Sequence, residues 1–122
     1  NAKLGILHGA AAYVCQNSEG QINDTESISA GLDYPGVSPI HCFLKDTKRA
    51  RYISATDEAA LSAYKLVTRL ERINPSLEPS HAFAEAIKIA PQLSKNTIII
   101  VNSCGDAKKD RDILKARLGK IN

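Results

Sequence analysis

The sequence contains no methionine and no tryptophan, and only 5% of its residues are aromatic. Its net charge is +3, from 16 basic and 13 acidic residues, and the excess is scattered along the chain. Nucleic-acid-binding surfaces need clustered basic residues with interleaved aromatic side chains, so we expect no nucleic-acid partner. We also expect no membrane partner, because no apolar run approaches the ~20 residues of a membrane helix and residues 1–4 lack signal-peptide features. Because the chain lacks an initiator methionine, we expect a piece of a longer one.

Cysteine is scarce as well. Cys15, Cys42 and Cys104 are odd in number and widely spaced. They form no C-x-x-C pair, and no histidine stands at zinc-ligand spacing near them. We therefore expect free thiols in a reducing, cytoplasmic compartment, with Cys15 and Cys42 packed as small hydrophobic residues.

The length of 122 residues and the hydrophobic share of 43% suffice for one domain with a core, spanning 1–122. Local patterns predict alternating strands and helices. The expected elements are a hairpin over 13–22, a helix from Pro39, a strand over 50–55, a helix from Thr56 or Asp57 to about Glu71, a helix from Pro79 or Ser80 to Pro91, a strand over 97–101 and a helix over 110–118. The continuous β-branched run at 97–101 is typical of a strand covered on both faces. The pattern favours an α/β fold, a layered sheet with flanking helices.

The stretch 27–37 consists of small and apolar residues around a single carboxylate, Asp33. Gly31 and Gly36 allow a positive φ or the close approach of another group, and Pro35 stiffens the segment. Two interpretations remain open. The commoner one is a tight turn in which Asp33 makes a local hydrogen bond. The other is a loop that presents one acid in the wall of a ligand pocket.

Two further segments lie where α/β folds bind ligands, beyond the carboxyl ends of strands. Leu77 and Glu78 stand at a helix entry, and 102–105 follows the run at 97–101. Glu78 is either a favourable charge at a helix N-terminus or a ligand contact. His81 is interpreted as a helix residue with a satisfied ring, rather than as a metal ligand. We interpret three basic residues as part of a solvated face: Lys108, Lys109 and Arg111.

Several ordered segments carry a resemblance to a known family. They are 20–22, 27–39, 52–57 and 75–82. Together they resemble the C-terminal part of the tryptophan synthase β chain, over most of the sequence from about Gly5 to about Asn102. The residues 7–9 and 13–16 are most similar to the fungal, fused form of the enzyme.

The resemblance implies the C-terminal part of a pyridoxal-phosphate (PLP) enzyme of the second PLP fold type. Such an enzyme joins L-serine and indole to L-tryptophan, pairs with an α subunit or α domain, and forms a β–β dimer. By position, Asp33 would be the acid of a mobile domain that closes over the substrate, and the backbone of Gly31 would line the cofactor. Tyr34 would lie where the indole tunnel meets the site. The backbone carbonyls of Tyr34 and Gly36 would help to bind a monovalent cation.

The remaining implied cofactor contacts are Glu78, beside the ring, and Cys104, at the position of a serine that bonds the pyridine nitrogen. Here the sequence departs from the family, which reads Asn-x-Ser-Gly-Arg-Gly-Asp-Lys-Asp where this chain has 102–110. Cys104 replaces the serine, and Asp106 replaces the arginine. Arg72 and Asn74 also stand where the family has Gly and Ile.

The Schiff-base lysine and the phosphate-binding loop lie upstream of the matching region in the family. These residues alone are therefore expected to be inactive. Two hypotheses follow: part of a tryptophan synthase β-like lyase of tryptophan biosynthesis, or an isolated or degenerate fragment that serves as a non-catalytic binding module. The intact stretch 27–37 favours the first hypothesis. The missing lysine and the altered 102–110 segment favour the second.

Overall fold

The computed structural model describes residues 2–119, which divide into two compact units on either side of the Ile53–Ser54 bond. The described residues contain one two-stranded sheet and four α-helices. The strands are β1, Ala2–Leu7, and β2, Ala10–Cys15; the helices are α1, Pro39–Asp46, α2, Asp57–Glu71, α3, Leu77–Ile89, and α4, Arg111–Leu118. None of these helices is long and apolar enough to cross a membrane.

The first unit is built on an antiparallel hairpin in which β1 pairs with β2, from Ala2 opposite Cys15 to Leu7 opposite Ala10. Its two-residue turn, His8 and Gly9, has positive φ at both positions (51° and 76°), as turns that match the strand twist require. The regular hairpin therefore lies one strand earlier than the predicted hairpin over 13–22. The predicted 17–20 turn is present in a shorter form, closed by the Gln16–Ile22 bridge and by hydrogen bonds from Asn17 N–H to Gln21 O and from Asn23 N–H to Cys15 O, both 2.9 Å.

The stretch 35–37 continues the first unit as an extended segment beside β2. Cys15 N–H donates to Pro35 O at 2.6 Å, and Val37 N–H donates to Tyr13 O at 3.3 Å. Helix α1 follows directly, because the Ser38 hydroxyl accepts from Ile40 N–H (3.2 Å) and Pro39 suits the first helical turn. This segment therefore has a fixed position between a strand and a helix.

The second unit is centred on packing of α2 against α3. The hydroxyl of Thr56 accepts from Ala59 N–H (3.2 Å), which confirms the predicted start of α2. Helix α2 ends at Glu71, and the left-handed conformation of the next residue, Arg72 (φ 59°, ψ 27°), caps it. Helix α3 begins at Leu77, before the predicted start at Pro79, and Leu77 itself is fully buried.

The predicted strands over 50–55 and 97–101 are wrong for the structure described. Both segments lack regular secondary structure. A strand needs the backbone groups of a neighbouring strand, and no segment within residues 2–119 pairs with either one. Ile98 and Ile100 are accordingly 85% and 91% exposed. The mixed α/β character is confirmed, whereas the layered sheet is reduced to the β1–β2 pair in the described part of the chain.

Candidate functional site

The 27–37 stretch forms a tight backbone turn. Ser29 is fully buried, and its carbonyl accepts from the N–H groups of Leu32 (3.0 Å) and Asp33 (3.1 Å). Ser27 supports the turn, because its hydroxyl accepts from Ser29 N–H at 3.1 Å. Asp33 is exposed, and its carboxylate makes no hydrogen bond within residues 2–119. The turn is thus held by Ser29 and Ser27, which leaves the Asp33 carboxylate available to a ligand.

Tyr34 follows the turn and reaches the β1–β2 hairpin. Its hydroxyl is hydrogen-bonded to His8 Nε2, and the two rings stack with centroids 6.2 Å apart. Pro35 O faces β2, where it accepts from Cys15 N–H. The carbonyls of Tyr34 and Gly36 lie on either side of Pro35 in the chain, and their binding of a monovalent cation stays a prediction.

An apolar cavity of about 290 Å³ lies beside this segment, entirely within the first unit. Its lining includes Tyr34, Pro35, Gly36, Val37, Tyr13, Cys15, His41, Lys45 and Tyr52. Polar groups at its margin are paired: His41 Nδ1 lies 2.9 Å from the Tyr52 hydroxyl. The Tyr13 hydroxyl donates to Asp46 Oδ1 at 2.8 Å, a bond that raises the pKa of Tyr13. The cavity is therefore largely apolar with a few oriented polar groups, as small-molecule sites are.

A polar cluster in the second unit surrounds the start of α3. The ammonium of Lys109 contacts both oxygens of Glu78, at 2.7 and 2.9 Å, and Asp110 Oδ1 at 2.8 Å. The other oxygen of Asp110 accepts from Leu77 N–H at 2.7 Å. Asp110, only 1% exposed, thus caps a helix that lies 33 residues earlier in the chain.

The segment 102–105 is tied to the same helix start. The Ser76 hydroxyl donates to Cys104 O at 2.8 Å. Gly105 has φ +89°, and any Cβ there would collide with the Ser76 hydroxyl. The structure therefore brings two predicted site residues, Glu78 and Cys104, to one end of α3. Cys104 is an exposed, free cysteine.

The interpretation of the basic residues as a solvated face was incomplete for one of them. The Lys109 side chain is 40% exposed, but its ammonium also binds the carboxylates of Glu78 and Asp110. Burial alone would lower the pKa of Lys109, but hydrogen bonds and charge attraction from Asp110 and Glu78 outweigh it and raise the pKa. By contrast, the satisfied ring of His81 is confirmed, since its Nδ1 lies 2.7 Å from Leu77 O.

Sequence reasoning also missed Asp110 and Ser76. A signal for the first was present: the Lys-Asp pair that ends the family pattern is retained as Lys109-Asp110, although the Ser and Arg before it are replaced. No local signal identifies Ser76, because its partner Cys104 lies 28 residues away. Among the described residues, no group of three or more His, Cys, Asp or Glu side chains could hold a metal ion.

Comparison with known proteins gives consistent relatives. The chain is 51% identical over 117 residues to a protein named tryptophan synthase beta chain from Bordetella petrii, covering 96% of this chain and 29% of that protein. Proteins of the same name from Allorhizobium ampelinum and Cereibacter sphaeroides are 54% and 52% identical, over 87% and 94% of this chain. The chain spans 26–29% of the length of these relatives, matching a C-terminal portion. No family model matches the chain.

Proposed function

We propose that this chain completes a PLP enzyme of the second fold type. The chain belongs to the tryptophan synthase β family and matches a C-terminal portion of such chains. The enzyme condenses L-serine and indole to L-tryptophan. The observation that carries the proposal is the 51% identity to the Bordetella petrii protein over 96% of the chain. In this proposal, residues 1–122 are one partial domain of a larger cytoplasmic catalytic chain.

PLP, when bound, supplies the electron sink for chemistry at the α and β carbons of serine. The second unit presents groups that fit one edge of the cofactor. Glu78 is a carboxylate held by Lys109 at 2.7 Å, and its place beside the ring follows the family. Cys104 offers an exposed thiol for the pyridine nitrogen, a weaker hydrogen-bonding partner than a hydroxyl. The Ser76–Cys104 bond of 2.8 Å orients that segment.

The first unit supplies substrate-facing groups in the proposal. Asp33 is an exposed carboxylate on a turn fixed by Ser29, so it can act as the acid that closes over bound serine and excludes water. The backbone of Gly31, in the same turn, lines the cofactor. Tyr34 borders the apolar cavity of about 290 Å³, where a flat apolar substrate such as indole is accommodated. The carbonyls of Tyr34 and Gly36 hold a monovalent cation.

The family also supplies the proposed assembly, a β–β dimer with an α subunit or α domain that delivers indole. A non-catalytic binding module is the weaker proposal. The match covers 96% of the chain rather than one short segment, which favours the enzyme over a binding module.

The test uses a complete β chain that contains these residues, purified with PLP and assayed for tryptophan formation from serine and indole. We expect turnover and a PLP absorption band that persists after dialysis. The control is the same protein without added indole, which should form no tryptophan. Absence of both turnover and the PLP band would refute the proposal and favour the non-catalytic module.

A further inference from the structure

We propose that Lys109 is a positioning residue that fixes the Glu78 carboxylate toward the cofactor, with Asp110 as the anchor of both. The inference rests on the proposed function, which places Glu78 beside the PLP ring. It goes beyond that function by assigning the orientation of Glu78 to a residue 31 positions later in the chain.

The first argument is the geometry of the contact. One ammonium reaches both oxygens of Glu78, at 2.7 and 2.9 Å, so both oxygens of the carboxylate are directed toward Lys109. The Glu78 side chain is 18% exposed, which limits the alternative positions it can take. A charge-assisted contact to both oxygens holds the carboxylate near Lys109.

The second argument is that Lys109 is itself held. Its ammonium lies 2.8 Å from Asp110 Oδ1, and the Asp110 side chain is only 2% exposed. Asp110 Oδ2 in turn accepts from the backbone of Leu77, the residue before Glu78. The cluster therefore closes on itself: the backbone at the start of α3 fixes Asp110, Asp110 fixes Lys109, and Lys109 fixes the next side chain of the same helix.

The third argument is charge. Without the ammonium, the carboxylates of Glu78 and Asp110 would face each other as like charges at one helix end. Asp110 cannot turn away, because it is buried and bonded to Leu77 N–H. Glu78 is the more exposed partner, so it is the group that would move. Loss of Lys109 should therefore displace Glu78 rather than Asp110.

The test is made on the complete holoenzyme, comparing Lys109→Met with Lys108→Met. Lys108 is the adjacent exposed lysine and serves as the matched control. We expect Lys109→Met to lower kcat by roughly tenfold to a hundredfold, the scale of a misplaced group at a reacting centre, with little change in KM for serine. Lys109→Arg should recover part of the loss, because it retains charge and several donors. Lys108→Met should match the unmodified enzyme.

A readout independent of turnover is the absorption spectrum of bound PLP and its dissociation constant. If Lys109 acts through Glu78, Lys109→Met should shift the spectrum in the same direction as Glu78→Gln. Lys108→Met should not shift it. An unshifted spectrum in Lys109→Met, with Glu78→Gln shifted, would overturn the inference.

A double-mutant cycle separates positioning from folding. In the Glu78→Gln background, Lys109→Met should change kcat no further, since the group it positions is already gone. The same loss of kcat in both backgrounds would mean that Lys109 acts through the fold alone, and the inference fails. If Lys109→Met does not fold, Lys109→Arg replaces it in the same cycle, with the same two outcomes.

Failure of the proposed function gives a different result. An unmodified holoenzyme without tryptophan formation refutes that function and the inference with it. An active unmodified enzyme in which Lys109→Met and Lys108→Met behave alike refutes only the role of Lys109.

Discussion

Removing the Asp110 carboxylate should destabilise the protein severely, because one buried side chain serves two partners. Oδ2 accepts from Leu77 N–H at 2.7 Å, and Oδ1 accepts from the Lys109 ammonium at 2.8 Å. Ser76, the residue at the N-cap of α3, makes no cap bond of its own, since its hydroxyl donates to Cys104 O. Asp110→Ala therefore leaves the buried Leu77 N–H without its observed acceptor.

The magnitude follows from those two contacts. A hydrogen bond to a charged group contributes about 1.5–3 kcal/mol, and a buried donor left unpaired adds a desolvation cost. We expect Asp110→Ala to lower the free energy of unfolding by about 3 kcal/mol. Asp110→Asn should cost about 2 kcal/mol, because an amide has only one oxygen for two donors.

Urea unfolding followed by circular dichroism measures the effect on the holoenzyme and on the apo form. Asp112→Ala is the matched control, an exposed acid in the first turn of α4 that should cost under about 1 kcal/mol. If Asp110→Ala destabilises no more than Asp112→Ala, Asp110 does not cap α3 in solution and the argument is refuted.

Four further outcomes are expected. Arg72→Gly should stabilise the protein by about 0.5–1 kcal/mol, because glycine removes the cost of a left-handed residue. Arg69→Gly, inside α2, should instead destabilise it by about 1 kcal/mol. Equal shifts of the thermal unfolding midpoint in the two variants would contradict this. Asp33→Asn should lower kcat for serine and indole by roughly tenfold or more, and an unchanged kcat would leave the loop a structural turn. Cys104→Ser should keep or improve PLP affinity while Cys104→Ala weakens it modestly, and identical PLP dissociation constants in all three proteins would remove its cofactor role. The folded pKa of Lys109 is raised above 10.5, so the stability that Lys109 contributes to the fold is complete below that pH and is lost as the pH rises through the folded pKa. The unfolding free energies of the unmodified protein and Lys109→Met should therefore converge in alkaline solution.

The helices could be predicted because their signals are local. Thr56 caps α2 within three residues of its partner, and Ser38 with Pro39 begins α1 within two. The start of α3 was placed at Pro79 instead of Leu77 because its cap is not local: Asp110 lies 33 residues downstream. Local signals thus locate the helices, whereas a remote cap decides the first residue of α3.

The strands were less predictable because pairing is a property of two segments. The β-branched run at 97–101 has strong strand propensity, yet the described residues offer it no partner, and Ile98 and Ile100 remain exposed. β1 has the opposite character. Its apolar Leu4 and Ile6 are each 72% exposed, so the apolar residues of the sequence do not mark a buried face. β1 forms because a two-residue turn returns the chain along it.

For the site, the resemblance named Glu78 and Cys104, but residue chemistry alone left Glu78 divided between a helix charge and a ligand contact. The geometry confirms the helix charge and adds a contact with Lys109, while the ligand contact stays a prediction. Glu78 lies in the first turn of α3, and it is also held by Lys109 at both oxygens. The contact spans 31 residues, which is why the basic cluster was interpreted as a solvated face.

The charge reversal at Asp106 gains a physical explanation from the same cluster. Its Oδ1 accepts from Lys108 N–H at 2.9 Å and caps the 3-10 turn Ala107–Asp110. That turn carries both Lys109 and Asp110, so its orientation decides whether they reach the start of α3. An arginine has no acceptor and could not make this bond. The departure from the family pattern therefore supports the Lys109–Glu78 contact locally, and it does not by itself argue for a degenerate site.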